Sequence, residues 1–317
     1  MRATKQRLPV FGIQRLKKCV LTVILISFLS VLFRLFTWSI HPNTVSYGNV
    51  HQIYQMIEPS LTEARKNSSN FTMLWRHLQT LSKRLPSDLR AFKIAINEEE
   101  FTIFEDLLRT YHTIMEERNI TYFLYGGSLL GALRHHGPIP WDDDLDIMAD
   151  WEDRERIAAA LQPLSPTYTL QRLDRRFWKF YSTHSWVTQP KYSWRWPFLD
   201  IWWYQRNGSY IKNCPWCTKY YPVEKIFPVR KRPFGNLRLY TPCNSKWLLD
   251  QYYDWHDCSS SYFIHKKETG PNFSHKTLKC DSLWKYYPFV QVAVNDSIET
   301  LLLGGEKIAA RYIEPAC

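Results

Sequence analysis

Residues 122–147, YFLYGGSLLGALRHHGPIPWDDDLDI, narrow the folds open to this chain more than any other stretch. The run 122–125 is apolar and strand-like and stops at Gly126-Gly127. Helical character resumes over 129–134, and Gly137-Pro138 and Pro140 end it. After Asp142-Asp143 a second strand is expected over 144–148. Residues two apart in a strand face the same way, so Asp144 and Asp146 would project together, about 6.6 Å apart along the chain, while Leu145 and Ile147 enter the core. Two carboxylates held that close repel each other unless a cation lies between them, and a hard divalent ion suits oxygen donors. Asp200, in Phe198-Leu199-Asp200-Ile201-Trp202, is flanked by apolar residues on both sides, a costly place for an unpaired acid. Asp144, Asp146 and Asp200 therefore form a candidate Mg²⁺ or Mn²⁺ site. A strand ending at Gly126-Gly127 with a helix opening at Ser128 frees backbone N–H groups at a positive helix end for phosphate oxygens, with no Cβ in the way. A phosphate grip beside a carboxylate-bound metal implies phosphoryl or nucleotidyl transfer.

Each part has a plainer reading. A Gly-Gly pair alone is usually a turn, and an Asp run is usually solvated or a structural calcium site. Arg134 and His135 alone read as residues that solvate a helix end. The ordered set makes coincidence a poor explanation: apolar-Gly-Gly-Ser, Asp-x-Asp among apolar residues, then apolar-Asp-apolar on a later strand.

Around this unit the pattern alternates. Asn97 caps a helix, with Glu100 placed to complete a capping box, and Phe101, Phe104, Leu108, Tyr111 and Met115 recur at three and four as its core stripe. A further helix is expected over 152–161, broken by Pro163 and Pro166, and two aromatic-rich strands over 176–204, the second at 198–204. The class is α+β, or α/β with a small mixed sheet. Residues 41–96 carry no Cys and only modest apolar periodicity, and read as a partly helical stem before a domain spanning 97–317.

The net charge of +11, from 41 Lys+Arg against 30 Asp+Glu, invites a nucleic-acid reading. Its distribution removes that reading. Residues 1–40 hold seven bases and no acid, leaving 34 bases against 30 acids elsewhere, so a broad phosphate-backbone footprint is not expected. The uncharged run CVLTVILISFLSVLF (19–33), extended past Arg34 to residue 40, reaches the roughly 20 residues that cross a bilayer. Six positive charges precede it, so 1–18 is expected in the cytosol and the rest across the membrane, a type II signal anchor; a cleaved signal peptide is the alternative. Six of the twelve asparagines begin Asn-x-Ser/Thr sequons (Asn67, Asn70, Asn119, Asn207, Asn272 and Asn295), and six of the seven cysteines lie beyond the anchor. Both fit the lumen of the ER or Golgi. Those six suit disulfides of undetermined pairing, with zinc at Cys214, Cys217, Cys243 and Cys258 as the alternative.

The ordered motif set resembles the metal and phosphate motifs of the nucleotidyltransferase superfamily. GGSLLGALRHHGPIPWDDDLDI is similar, more closely, to the signature of the LicD family. The likeness continues through FLDIWWY (198–204), FPVRKRPFGNLRLYTP (227–242) and, loosely, WLLDQYYDW (247–255), where Tyr253 stands at a position often occupied by Gly in the family. The resemblance implies a metal-dependent transferase that moves a phosphorylated alcohol from a CDP-activated donor to the hydroxyl of a glycan or glycoprotein, releasing CMP. It places Asp144, Asp146 and Asp200 as metal ligands, Gly127 and Ser128 on donor phosphate beside Gly126, and Arg134 and His135 next to the donor. Asp200 or Asp142 would accept the hydroxyl proton. Arg230, Lys231 and Arg232 would face phosphates or form a solvated turn. A non-catalytic glycan-binding or scaffolding protein with a relict metal site is the rival reading.

Overall fold

The computed structural model describes residues 71–173, 177–213, 218–270, 275–292, 298–314 and 316–317. The expected tail (1–18), anchor (19–40), most of the stem, the sequons at Asn67, Asn70, Asn272 and Asn295, and Cys19, Cys214 and Cys217 lie outside them. Among the described residues no helix is long and apolar enough to cross a membrane. Asn119 and Asn207 are exposed.

The described chain opens with α1 (Phe71–Ser82) and a 3₁₀ turn (Ser87–Phe92). Sequence reading places both in the stem, yet they pack against the domain. Trp75, Leu78 and Phe92 are fully buried, and the Trp75 ring stacks on Phe101 with centroids 4.8 Å apart. The Trp75 indole N–H donates to the Ile96 carbonyl (3.0 Å), which satisfies its one polar atom. Helix α2 (Glu98–Glu117) begins with the expected capping box: the Asn97 side chain accepts the Glu100 N–H (2.9 Å) and the Glu100 carboxylate accepts the Asn97 N–H (2.7 Å). Its apolar stripe from Phe101 to Met115 is buried.

Strand β1 (Tyr122–Leu124) leads into α3 (Gly126–His135) and then β2 (Leu145–Asp150). The helix thus starts at Gly126, three residues earlier than the apolar periodicity suggests, because glycines contribute nothing to a hydrophobic pattern. Strand β2 starts at Leu145, so Asp144 stands just ahead of it. A 3₁₀ turn (Trp151–Asp153) precedes α4 (Arg154–Leu161), followed by β3 (Tyr168–Arg172), β4 (Phe177–Trp186) and β5 (Trp196–Asn207). Short strands β6 (Tyr210–Lys212) and β7 (Tyr220–Pro222) extend the sheet to seven strands, whose main path runs β1-β2-β5-β4-β3. Only β2 and β5 run parallel along that path. The sheet is mixed, as expected. Tyr111 against Phe180 and Phe104 against Trp196 seat α2 on β4 and β5.

The rest of the chain forms three small sheets that the sequence reading does not anticipate. Hairpin β8 (Arg230–Phe234) and β9 (Leu237–Thr241) precedes the short helix α5 (Ser245–Leu249). Strands β10 (Asp257–Ser259) and β11 (Thr277–Lys279) pair next, and β12 (Phe289–Val292), β13 (Ile298–Leu303) and β14 (Glu306–Tyr312) form the last sheet. Cys258 is bonded to Cys280 and Cys243 to Cys317, so the zinc alternative loses two of its four thiols. Arg230, Lys231 and Arg232 pair with Glu314, Glu116 and Glu299, which ties their hairpin to distant elements.

Candidate active site

Sheet register builds the site. Asp146 on β2 lies directly opposite Asp200 on β5, and Asp200 lies directly opposite Lys179 on β4. Alternation sends Leu145, Ile147, Leu199 and Ile201 into the core and leaves both aspartates on the other face. Asp144, one residue ahead of β2, joins them, and one carboxylate oxygen from each of the three lies within 4.8 Å of the others. Opposite corners of an octahedron with bonds of about 2.1 Å are about 4.2 Å apart, so the three donors stand near coordination range for Mg²⁺ or Mn²⁺. The donor set is all carboxylate oxygen, which fits a hard divalent ion and not a thiophilic one.

Neighbouring groups hold each carboxylate. The Trp202 indole N–H donates to Asp146 Oδ1 (2.7 Å), and the Asp146 backbone N–H donates to Ser128 Oγ (2.7 Å). The buried Lys179 ammonium meets Asp200 Oδ1 at 2.8 Å and lies 3.2 Å from the Phe198 ring centroid. His265 stands between two acids, with Nδ1 3.2 Å from Asp143 Oδ1 and Nε2 3.4 Å from Asp144 Oδ2. Asp143 also accepts the backbone N–H groups of His265 and Lys266, so this carboxylate fixes the loop and stays out of the metal cluster.

Burial and mutual repulsion disfavour the ionised form of the clustered acids. Burial, then repulsion from Asp146 and Asp142, pushes Asp144 well above the ordinary carboxylate range. Burial, then Asp200, pushes Asp146 up to about 7. Burial raises Asp200 too, against the opposing pull of Lys179. Burial alone would lower His265, but Asp144, Asp143 and Asp142 outweigh it and raise the imidazole to about 10. Two protein cations thus face the acids, and they are too few to relieve them.

The glycines lie against these carboxylates. Gly126 has φ +54°, and a Cβ there would fall 3.1 Å from Asp146 Oδ2; a Cβ on Gly127 would fall 3.0 Å from Asp142 Oδ2. Gly127, Asp142, Asp144 and Asp146 line a cleft of about 570 Å³. Residues of β10, β11 and the segment from Ser260 to His265 also line it, as do Tyr252 and Tyr253. Ser128, expected on donor phosphate, is buried, and its oxygen accepts the Asp146 N–H. Arg134 lines the cleft with its guanidinium 5.7 Å from the Trp141 ring centroid, and burial pushes its pKa down to about 10. His135, expected beside the donor, points instead into the core: it is fully buried, its Nδ1 is 2.6 Å from the Pro288 carbonyl and its ring packs on Phe289. Consecutive helical residues point about 100° apart, so Arg134 lines the cleft while His135 packs in the core, its Nε2 accepting from Arg134 Nε at 3.1 Å. Asp142 faces the cleft, where its Oδ1 accepts the Ser261 hydroxyl (2.9 Å). Asp200 sits deeper, 5% exposed and bound to Lys179.

Sequence reasoning missed Lys179 and His265. Lys179 carried the same signal as Asp200, a charged residue inside an aromatic strand (Trp178-Lys179-Phe180). His265 had none, since it reaches the site from a loop 122 residues beyond Asp143.

Residues 119–244 match the family model described as LicD/FKTN/FKRP, nucleotidyltransferase domain. An uncharacterised protein of Rickettsia typhi is 27% identical over 195 residues, covering 60% of this chain and 57% of that protein. The lipopolysaccharide cholinephosphotransferase LicD of Haemophilus influenzae is 26% identical over 164 residues, covering 49% of this chain and 57% of that enzyme. The human ribitol 5-phosphate transferase FKRP is 50% identical over 40 residues, or 13% of this chain and 8% of that enzyme. The chain therefore spans less than two thirds of the length of these relatives.

Proposed function

Residues 119–244 being a LicD-family nucleotidyltransferase domain, we propose that the chain transfers a phosphorylated alcohol from a CDP-activated donor to a glycan hydroxyl in the secretory pathway. The observation that carries this reading is the convergence of Asp144, Asp146 and the more deeply buried Asp200, the first two lining a cleft that Arg134 also lines. Relatives named for phosphocholine and ribitol-phosphate transfer support the reaction class. The basic N-terminus, the apolar run at 19–40 and the sequons support a type II anchor that places the domain in the ER or Golgi lumen.

Asp144, Asp146 and Asp200 would hold Mg²⁺ or Mn²⁺. When bound, the ion supplies a Lewis acid that neutralises phosphate charge as the anhydride breaks. Lys179 compensates the charge of Asp200, and the Trp202 indole N–H holds the Asp146 carboxylate. Arg134 is the cleft's guanidinium and meets the anionic donor. Asp142 faces open cleft while Asp200 is engaged below, so Asp142 is the better placed of the two to take the acceptor's proton. In the transfer, the acceptor oxygen bonds to the phosphorus of the phosphoryl-alcohol, the bond to the bridging oxygen breaks, CMP leaves, and the hydroxyl proton passes to Asp142.

The test is CMP release by purified protein offered CDP-ribitol, CDP-choline, CDP-glycerol and CDP-ethanolamine with a glycan mixture and Mn²⁺. At least one donor should give CMP, and Asp144→Asn and Asp146→Asn proteins that fold as wild type should lose that activity. Full activity in both variants would sink the assignment, and no release from any donor would favour a binding role.

A further inference from the structure

The cleft does not end at the aspartates. Tyr252, Tyr253 and Asp254 also line a second, more open hollow of about 630 Å³, together with Lys246 on α5 and Asp250 and Trp255 after it. This is the segment of the loosest motif, and its Tyr253 replaces a small residue by a ring that stands on both hollows.

Three properties distinguish the hollow from the cleft. First, it is aromatic and open: Tyr252 and Tyr253 are 39% and 37% exposed, with ring centroids 6.4 Å apart. Exposed large rings grouped beside a binding cleft mark a ligand groove more often than a random surface. Second, its rings are held in place. Lys219 Nζ lies 4.3 Å from the Tyr252 centroid, the Tyr252 hydroxyl accepts from Asn213 (3.4 Å), and the Trp255 indole donates to Asp250. The same Asn213 amide donates to the Tyr125 hydroxyl (2.7 Å), linking the platform to the start of α3. Rings fixed before binding lose little side-chain entropy on contact. Third, its charge is wrong for a phosphate. Lys246 is paired with Asp250 at 2.9 Å, and Asp254 adds an exposed carboxylate. The guanidinium Arg134 lines the cleft and not this hollow.

A neutral sugar matches all three. Its C–H face stacks on an aromatic ring, and its hydroxyls donate to carboxylates, which are strong acceptors. Continuity with the cleft through Tyr253 lets one end of such a chain reach Asp142 while the rest lies on the rings. We propose that Tyr252, Tyr253 and Trp255 form the acceptor subsite, a stacking platform for a neutral glycan. The inference rests on the transferase reading for the reaction it serves, and its binding test does not.

The experiment is saturation-transfer NMR on the full-length chain in detergent, with desialylated glycans released from bovine fetuin as the probe. The same samples are titrated with Mn²⁺, and circular dichroism checks each fold. Wild-type protein should transfer saturation to the glycans. Tyr252→Ala and Trp255→Ala should each weaken binding about tenfold, the equivalent of one lost stacking contact of about 1.4 kcal/mol. Tyr253→Gly should weaken it similarly. Mn²⁺ binding should be unchanged in all three, and Asp146→Asn should bind the glycans as wild type does. No transfer in wild type, or transfer that survives all three substitutions, overturns the subsite. A dimer in sedimentation velocity that dissociates in Tyr252→Ala would assign the hollow to a second copy of the chain and also overturn it. If glycan binding fails while Asp146→Asn still abolishes CMP release, only the subsite falls. If binding holds and CMP release is absent, only the transferase reading falls.

Discussion

Replacing Lys179 by Met removes the cation bonded to Asp200, leaving His265 against Asp144, while keeping most of the side chain's length and volume. The Nζ to Oδ1 distance of 2.8 Å corresponds to a gross attraction of about 6 kcal/mol at an effective dielectric of 20. Part of that is offset because the lysine no longer has to be desolvated. Deleting one partner of a buried pair leaves the other charge uncompensated and typically costs about 3–5 kcal/mol. At about 2–4 °C per kcal/mol for a domain this size, the melting temperature without divalent ions should fall by roughly 6–20 °C. The same change removes a positive charge beside Asp200, so a divalent ion should bind the variant at least as well as wild type and restore part of the lost stability. Differential scanning fluorimetry with EDTA and with 1–5 mM Mn²⁺ measures both effects. A loss under about 1 kcal/mol would mean that Asp200 does not depend on Lys179 for compensation. A smaller Mn²⁺ stabilisation in the variant than in wild type would refute the placement of the ion beside Asp200.

Three further outcomes follow from named contacts. Gly126→Ala forces a Cβ to 3.1 Å from Asp146 Oδ2 at φ +54°, so Mn²⁺ affinity by calorimetry should fall about tenfold in a protein otherwise folded, at a backbone cost of about 1–2 kcal/mol. Trp75→Ala should cost about 3–5 kcal/mol in urea unfolding, because the ring is fully buried on Phe101; a change below about 1 kcal/mol would return residues 71–96 to a stem. Burial would raise Glu299, but His136 and Arg232 together hold it below the ordinary carboxylate range. A depressed acid contributes stability above its unfolded pKa of about 4.3 and loses it as pH falls through the folded value, so urea midpoints should drop below about pH 4.3 in wild type. Burial lowers His136, which at neutral pH is a hydrogen-bond partner and not an ion, leaving Arg232 as the charge on Glu299. Glu299→Gln should therefore cost about 3 kcal/mol at pH 7 and flatten the acid limb.

The parts of this fold that local patterns encode were legible in the sequence. The capping box at Asn97, the stripe of α2 and the strand that carries Asp200 between apolar neighbours depend only on residues within a turn or two of each other. The spacing of Asp144 and Asp146 pointed to one cluster, and the structure brings both together with Asp200, although Asp144 stands just ahead of the strand and not in it. What was hidden depends on long-range contacts. The stretch from Leu74 to Leu85 carried a helical pattern, but that the face of α1 belongs to the core shows only in distant contacts such as Trp75 on Phe101. The direction of His135 is set by Pro288 and Phe289, more than 150 positions away, and a helix of ten residues gave no reason to prefer one face for it. His265 and the platform at Tyr252 line the cleft from segments more than 100 positions beyond Asp142.

On the proposed reading, Asp144, Asp146 and Asp200 together hold a divalent cation. Electron paramagnetic resonance of Mn²⁺ titrated into purified protein at neutral pH reads that claim directly, through the loss of the free-ion signal. Wild type should bind saturably, and folded Asp146→Asn and Asp200→Asn proteins should bind at least tenfold more weakly. Equal Mn²⁺ affinity in wild type and both variants would contradict that reading.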